Sequence, residues 1–220
     1  FHEIMPSADG KKNVGKVISD NYEVVEGSWP KNKNEVVLVL DENNSLSLTA
    51  VYELGLKSAS EYHDMMNQLN SGDDVKTDTK KIDYSDVIDR TLKLLPACDQ
   101  YVKGDNGHWT YVGDDVDQIN ALIDSDKAID LKIVGVVKPV EDADATPLSS
   151  GVGYTRALTN ELIDRAESSE IVTEQQSDKD HNVLNGMTFS PSDDATKAQD
   201  ARDYVASLGV SSKAQMAQNM

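Results

Sequence analysis

Few residues in this chain have the types and spacing that chemistry requires. Cys98 is the single cysteine, and a thiol attacks only after a nearby base has drawn off its proton. His108 is the candidate base, brought near if residues 99–112 fold as a hairpin; a buried structural thiol is the plainer reading. His2, His63, His108 and His181 are scattered and none stands in a HExxH pattern. With no close pair of zinc ligands, they read as surface residues. Asp178-Lys179-Asp180-His181-Asn182 begins like a calcium loop, but Val183 stands where the turn glycine belongs and no glutamate closes it. Asp114, Asp115 and Asp117, or Glu141, Asp142 and Asp144, can hold a cation weakly, though a solvated acidic face accounts for them more simply.

Ser149-Ser150-Gly151 lacks the flanking pattern of a nucleophile elbow, and no phosphate-binding loop occurs. Any carboxylate pair offered as a glycosidase dyad is expected by chance in so acidic a chain. These patterns assign no catalytic, cofactor-binding or metal-ligating residue. The one cluster with a binding character is Tyr101, Trp109 and Tyr111. It forms an aromatic contact patch for a peptide or sugar, or packs within its own hairpin.

Composition narrows the class. A chain of 220 residues with 38% hydrophobic content buries a core, as one large domain or two small ones. A net charge of −18 repels nucleic acid phosphates and anionic lipid over a Debye length of about 8–10 Å, so nucleic acid is excluded as a partner. One cysteine rules out an intramolecular disulfide and a thiolate zinc cage. The apolar runs are far shorter than the roughly 20 residues that cross a bilayer as a helix. The chain starts at Phe1, with no basic stretch leading into an apolar one, so no signal peptide is expected and the chain reads as excised from something longer.

The elements that must position these residues start from two β-branched runs. Residues 130–139 (DLKIVGVVKP) and 35–40 (EVVLVL) leave almost no polar position, so each reads as a strand buried on both faces, the two together forming the centre of a sheet. Around them the pattern predicts an edge strand at 16–18 and a strand at 22–25 that forms a hairpin or neighbouring pair with 35–40. After N-cap candidates at 42–45, a helix carries Leu46, Leu48, Val51, Tyr52 and Leu54 and is stopped by Gly55, and a second runs from Ser58 or Ser60 to Leu69. A solvated loop or partly ordered insert covers 72–83, with a helical turn at 84–88 and a strand at 91–95 ended by Pro96. Next comes a hairpin, 99–103 and 108–112, around Gly104-Asp105-Asn106-Gly107, since Asn-Gly supplies the positive φ such turns need. Asp114-Asp115 opens a helix. After an acidic loop at 140–150, residues 151–154 regain the sheet. Thr159 caps a helix to about Ser168, residues 170–176 continue or restart it, and 187–189 form a last strand. Asp193 and Asp194 open a helix with Ala198, Ala201, Tyr204, Val205 and Leu208 on one inward stripe, stopped by Gly209. The fold class is α+β: a mixed central sheet with flanking helices and an inserted, hairpin-containing subdomain. The expected pieces are 1–82 and 128–220 for the core lobe and 83–127 for the insert.

A resemblance sharpens this. The order Tyr22-Glu23-Val24-Val25-Glu26-Gly27-Ser28-Trp29-Pro30, Asn34-Glu35-Val36-Val37-Leu38-Val39, Asp41-Glu42-Asn43-Asn44 and Tyr52-Glu53-Leu54-Gly55-Leu56 resembles the extracytoplasmic domain of ABC-transporter permeases of the FtsX/MacB type from Gram-positive bacteria. Asp130-Leu131-Lys132-Ile133-Val134-Gly135-Val136-Val137-Lys138-Pro139 and Gly151-Val152-Gly153-Tyr154-Thr155 follow in that family's order. The similarity spans roughly residues 22–189 and rests on structural pieces. It implies a MacB-like periplasmic core type of fold tolerant of large insertions, placed on the extracellular side of the cell membrane, a part that is no enzyme and uses no cofactor. Its implied partners are the rest of the permease and a cytoplasmic ATPase subunit, whose movement the outer domain receives while it binds or gates a peptide, lipoprotein or cell-wall protein. The chain departs from the family in carrying no membrane helices, and its ends fall inside what should be a larger extracellular region. Two other readings stand beside it. A free-standing cell-surface adhesin or ligand-binding module would have no flanking membrane helices, and an extracellular hydrolase would need a convergent pocket of titratable residues.

Overall fold

A computed structural model of the chain describes residues 1–46, 48–55, 59–71, 83–209 and 213. In chain order the elements are β1 (His2–Ile4), α1 (Lys16–Asn21), β2 (Tyr22–Gly27), β3 (Glu35–Val39), α2 (Leu48–Glu53), α3 (Ala59–Ser71), β4 (Thr91–Leu94), β5 (Tyr101–Lys103), β6 (Trp109–Tyr111), α4 (Val116–Ile123), β7 (Ile129–Pro139), β8 (Gly151–Thr155), α5 (Arg156–Ser168), α6 (Glu170–Ser177) and α7 (Asp194–Ser207). Short 3₁₀ turns lie at Tyr84–Asp86 and Ala97–Gln100. The architecture is mixed α/β, a mixed sheet with flanking helices. Apart from Asp83, the loop expected at 72–83 lies outside the described residues.

The chain divides into two compact units, one made of residues 1–94 and 129–161, the other of 95–128 and 162–220. This differs from the expected division at two places. β4 pairs antiparallel with β7, so residues 83–94 belong to the first unit and the second starts only at Leu95. The stretch from Leu162 onward groups with the hairpin rather than with the core lobe.

The first unit is built on the two apolar runs. β3 and β7 pair in parallel, with Val37 opposite Gly135 and Val39 opposite Val137. Val36, Val37, Val39, Val136 and Val137 are fully buried, each such side chain contributing about 1.5–3 kcal/mol by leaving water. The sheet order is β1-β8-β3-β7-β2. With 11 residues, β7 is long enough to carry β4 along its first half and β2 along its second, both antiparallel. The expected pairing of 22–25 with 35–40 is therefore corrected: β7 lies between them. The chain crosses from β2 because Ser28 N–H donates to Val134 C=O at 2.9 Å, an approach that leaves no space for a side chain. A Cβ on Gly135 would sit 2.2 Å from Ser28 O, and one on Gly27, at φ +74°, 2.2 Å from Val134 O.

The predicted edge strand at 16–18 is instead the helix α1, and the edge strand is β1, parallel to β8. Ile18 is fully buried against Ile4, Tyr22, Val37 and Leu148, which one turn of helix achieves and an edge strand would not. β1 is pinned by Glu3, which takes hydrogen bonds from Arg156 and Thr159. α5 accordingly starts at Arg156, straight out of β8, and Thr159 is an interior residue with another role than the predicted cap. Tyr22 closes the core: its hydroxyl donates to Leu148 C=O at 2.8 Å and accepts from Leu148 N–H at 2.9 Å.

In the second unit, β5 and β6 form the predicted hairpin. Asp115 caps α4, accepting from the backbone N–H of Asp117 and Gln118, and Ser169 and Asp193 cap α6 and α7 in the same way. Residues 187–189 make no strand; Thr188 forms one isolated bridge with His181. The inward stripe predicted for α7 is also corrected. Ala198, Ala201 and Val205 are exposed, and only Tyr204 and Leu208 at its C-terminal end are half-buried.

Candidate functional site

The hairpin residues singled out by type converge in space. A strand places directly opposed residues on one face, and the register sets Tyr101 against Tyr111 and Lys103 against Trp109. The tyrosine rings meet with centroids 5.5 Å apart at 57°, a tilted aromatic contact. The turn that creates this register is held by Gly104 N–H donating to His108 C=O and by His108 N–H donating to Asn106 Oδ1, with Gly107 at φ +81°.

Trp109 is held on three sides. Its indole Nε1–H donates to Glu174 Oε2 at 2.9 Å, and its backbone N–H donates to Val183 C=O at 3.0 Å. Lys103 Nζ lies 5.9 Å from the ring centroid and 2.7 Å from the same Glu174 oxygen. The Lys103 ammonium and then the indole N–H hold the Glu174 carboxyl below the usual carboxylate range. With 8% exposure, Trp109 forms a wall. Tyr111, 48% exposed, presents its ring to solvent and Tyr101 is half-buried.

Beside this wall lies a groove of about 710 Å³, within the range of small-ligand sites. Leu184 and the end of α7, with Tyr204, Ser207, Leu208 and Gly209, form its other side. Asn106 Nδ2 donates to Ser207 C=O at 3.5 Å. The His108 imidazole lies over Gly186, where a Cβ would meet Cε1 at 2.7 Å. Phenol and aliphatic hydroxyls, one amide, one imidazole and one indole make up the polar side chains of the lining, which contains no carboxylate, guanidinium or ammonium among the described residues. Such a set recognises by stacking and neutral hydrogen bonds. Sequence reasoning found the hairpin aromatics and missed Tyr204 and Leu184, whose place depends on packing within the unit.

The other candidates are not gathered here. The hydrogen-bond partner of Cys98 is Asp99, 3.7 Å from Sγ, and not His108. Asp99 in turn binds Arg165 at 2.7 Å, and Arg165 donates to Lys127 C=O. Burial first, and then the Asp99 charge, pushes the Cys98 thiol up, away from the reactive thiolate. Asp178 accepts from the backbone N–H of Asp180 and His181, and its carboxylate meets the His181 ring at 3.1 Å. This is a self-satisfied turn rather than a calcium loop. Asp115 is occupied as a cap, and Glu141, Asp142 and Asp144 are exposed. Burial, and then the N-terminal charge, lowers the His2 pKa. No group of three or more His, Cys, Asp or Glu able to hold a metal ion occurs among the described residues.

The first unit carries an open cleft of about 490 Å³ bounded by Lys11, Lys12, Lys31 and Trp29. Asn13 ties its rim together by donating to Lys31 C=O at 2.7 Å. None of the described helices is long and apolar enough to cross a membrane. No model of a known protein family matches this chain, and no curated protein or solved structure matches it either.

Proposed function

We propose that this chain is the extracytoplasmic domain of an ABC-transporter permease of the FtsX/MacB type, a module that binds or gates a partner and passes on motion driven by a cytoplasmic ATPase subunit. One observation carries the reading. Four of the stretches that resemble that family, two near residues 22–39 and two more than 90 residues further on, fold as neighbours in the order β8-β3-β7-β2 of one sheet. A block buried on both faces at β3 and at the second half of β7 moves as a rigid body, which transmitting displacement requires. In this reading the sheet is a MacB-like core and the hairpin stretch 95–128 is the family's variable insertion. The partner is a peptide, lipoprotein or cell-wall component, met on the extracellular side of the membrane.

The test is the reading frame of the parent protein together with its location. Apolar segments of about 20 residues are expected beyond both ends of the chain, and protease added to intact cells should reach the domain. A parent with no such segment replaces this reading with the free-standing surface module.

A further inference from the structure

The groove beside the hairpin is uncharged in a chain that is not. Charged residues make up 27% of the sequence, yet none of the eleven residues lining the groove is Asp, Glu, Lys or Arg. An ionic ligand entering it would lose its hydration and find no carboxylate, guanidinium or ammonium among the described lining residues to replace it. Anions are in addition repelled by the net charge of −18. A cationic peptide is the partner such a chain attracts at long range, but its capture needs carboxylates in the lining, which are missing. A quaternary ammonium needs a gap between aromatic faces, and Tyr101 and Tyr111 close that gap by touching each other at 5.5 Å. A lipid tail needs continuous aliphatic walls; Leu184 and Leu208 are the aliphatic side chains present.

What remains matches a molecule with an apolar face and a rim of hydroxyls. We propose that the groove binds a neutral oligosaccharide, with a pyranose ring stacked on Tyr111 and its hydroxyls bonded to Asn106 and Ser207. The exposed phenol ring offers a flat apolar face with a polar tip, and about 710 Å³ accommodates two to three sugar rings. Tyr111 is pre-set for this role: it packs on Gly113, where a Cβ would lie 2.0 Å from its hydroxyl oxygen, and on Tyr101. Little side-chain entropy is then left to lose on binding. The proposal names the ligand class for the binding half of the reading above, and it holds equally for a free-standing module.

The experiment titrates the 220-residue chain with a panel of neutral tri- to hexasaccharides, α- and β-linked hexoses and N-acetylhexosamines. Choline and a lysine-rich peptide serve as charged probes, with saturation-transfer NMR and intrinsic fluorescence as readouts. Saturable binding of at least one neutral sugar is expected. It should weaken roughly tenfold in Tyr111→Ala, stay within about threefold in Tyr111→Phe, and be unchanged in Val102→Ala. A circular dichroism melt of each variant shows that it folds. Failure of the whole neutral panel, binding only of a charged probe, or full binding by folded Tyr111→Ala would each overturn the proposal. None of those results bears on the permease reading, which the flanking segments decide.

Discussion

Gly135 shows how one position is decided by a neighbour distant in sequence. In the run Ile133-Val134-Gly135-Val136-Val137 it reads as a small interruption in a strand. In the fold its missing side chain is the space that Ser28 occupies. The obstructing atoms are backbone, held by the Ser28 to Val134 hydrogen bond, so they cannot swing aside. Gly135→Ala should lower stability by roughly 3 kcal/mol, measured as a fall in the urea midpoint with unchanged slope. Tyr22→Phe tests a different cost, because it removes a hydroxyl that satisfies both the N–H and the C=O of Leu148. Two buried polar groups lose their partner for no gain in volume, so a loss of about 1–3 kcal/mol is expected in the same assay. Cys98 supplies a kinetic check: with burial and Asp99 raising its pKa, it should react with a disulfide reagent at mildly alkaline pH more slowly than free cysteine does.

At the level of elements, most of the chain was legible wherever a local signal sufficed. The caps Asp115 and Asp193, the Asn-Gly hairpin turn and the two β-branched runs each carry their cause within a few residues. The failures share a different cause. Whether residues 16–21 form a strand or a helix turns on Ile18 reaching Ile4 and Leu148, and the start of α5 turns on β8 feeding directly into it. The neighbour of β2 depends on the length of β7. The anchoring of the hairpin was illegible for the same reason: Glu174 is 65 residues from Trp109, and nothing near either announces the pair. That anchor titrates. The Glu174 carboxyl is depressed in the fold, so its contribution is complete above the ordinary glutamate range and disappears as pH falls through the lower folded value. The chain has two tryptophans, so Trp29→Phe leaves Trp109 as sole reporter. Its emission should change as acid protonates Glu174, and Glu174→Gln should abolish that step while leaving the spectrum pH-independent across it.

At the scale of the whole molecule, charge is the property the sequence states most directly. The chain has 39 acidic and 21 basic residues. The structure shows where the bases go: the described residues contain ten ion pairs of Lys or Arg with Asp or Glu, most of them exposed. Salt acts on both populations with opposite sign. Screening weakens the pairs, but an exposed pair contributes only about 0–1 kcal/mol; the better shielded Arg165–Asp99 pair, with side chains 28% and 16% exposed, loses least. Screening also relieves the mutual repulsion of the excess acids, which is strongest in the compact state and extends over many residues. The second effect should win. Raising NaCl from about 10 mM to about 150 mM shortens the Debye length from roughly 30 Å to 8 Å and should move the urea midpoint up. A midpoint that falls would mean that the ion pairs, rather than the repulsion, dominate the electrostatics of the native state.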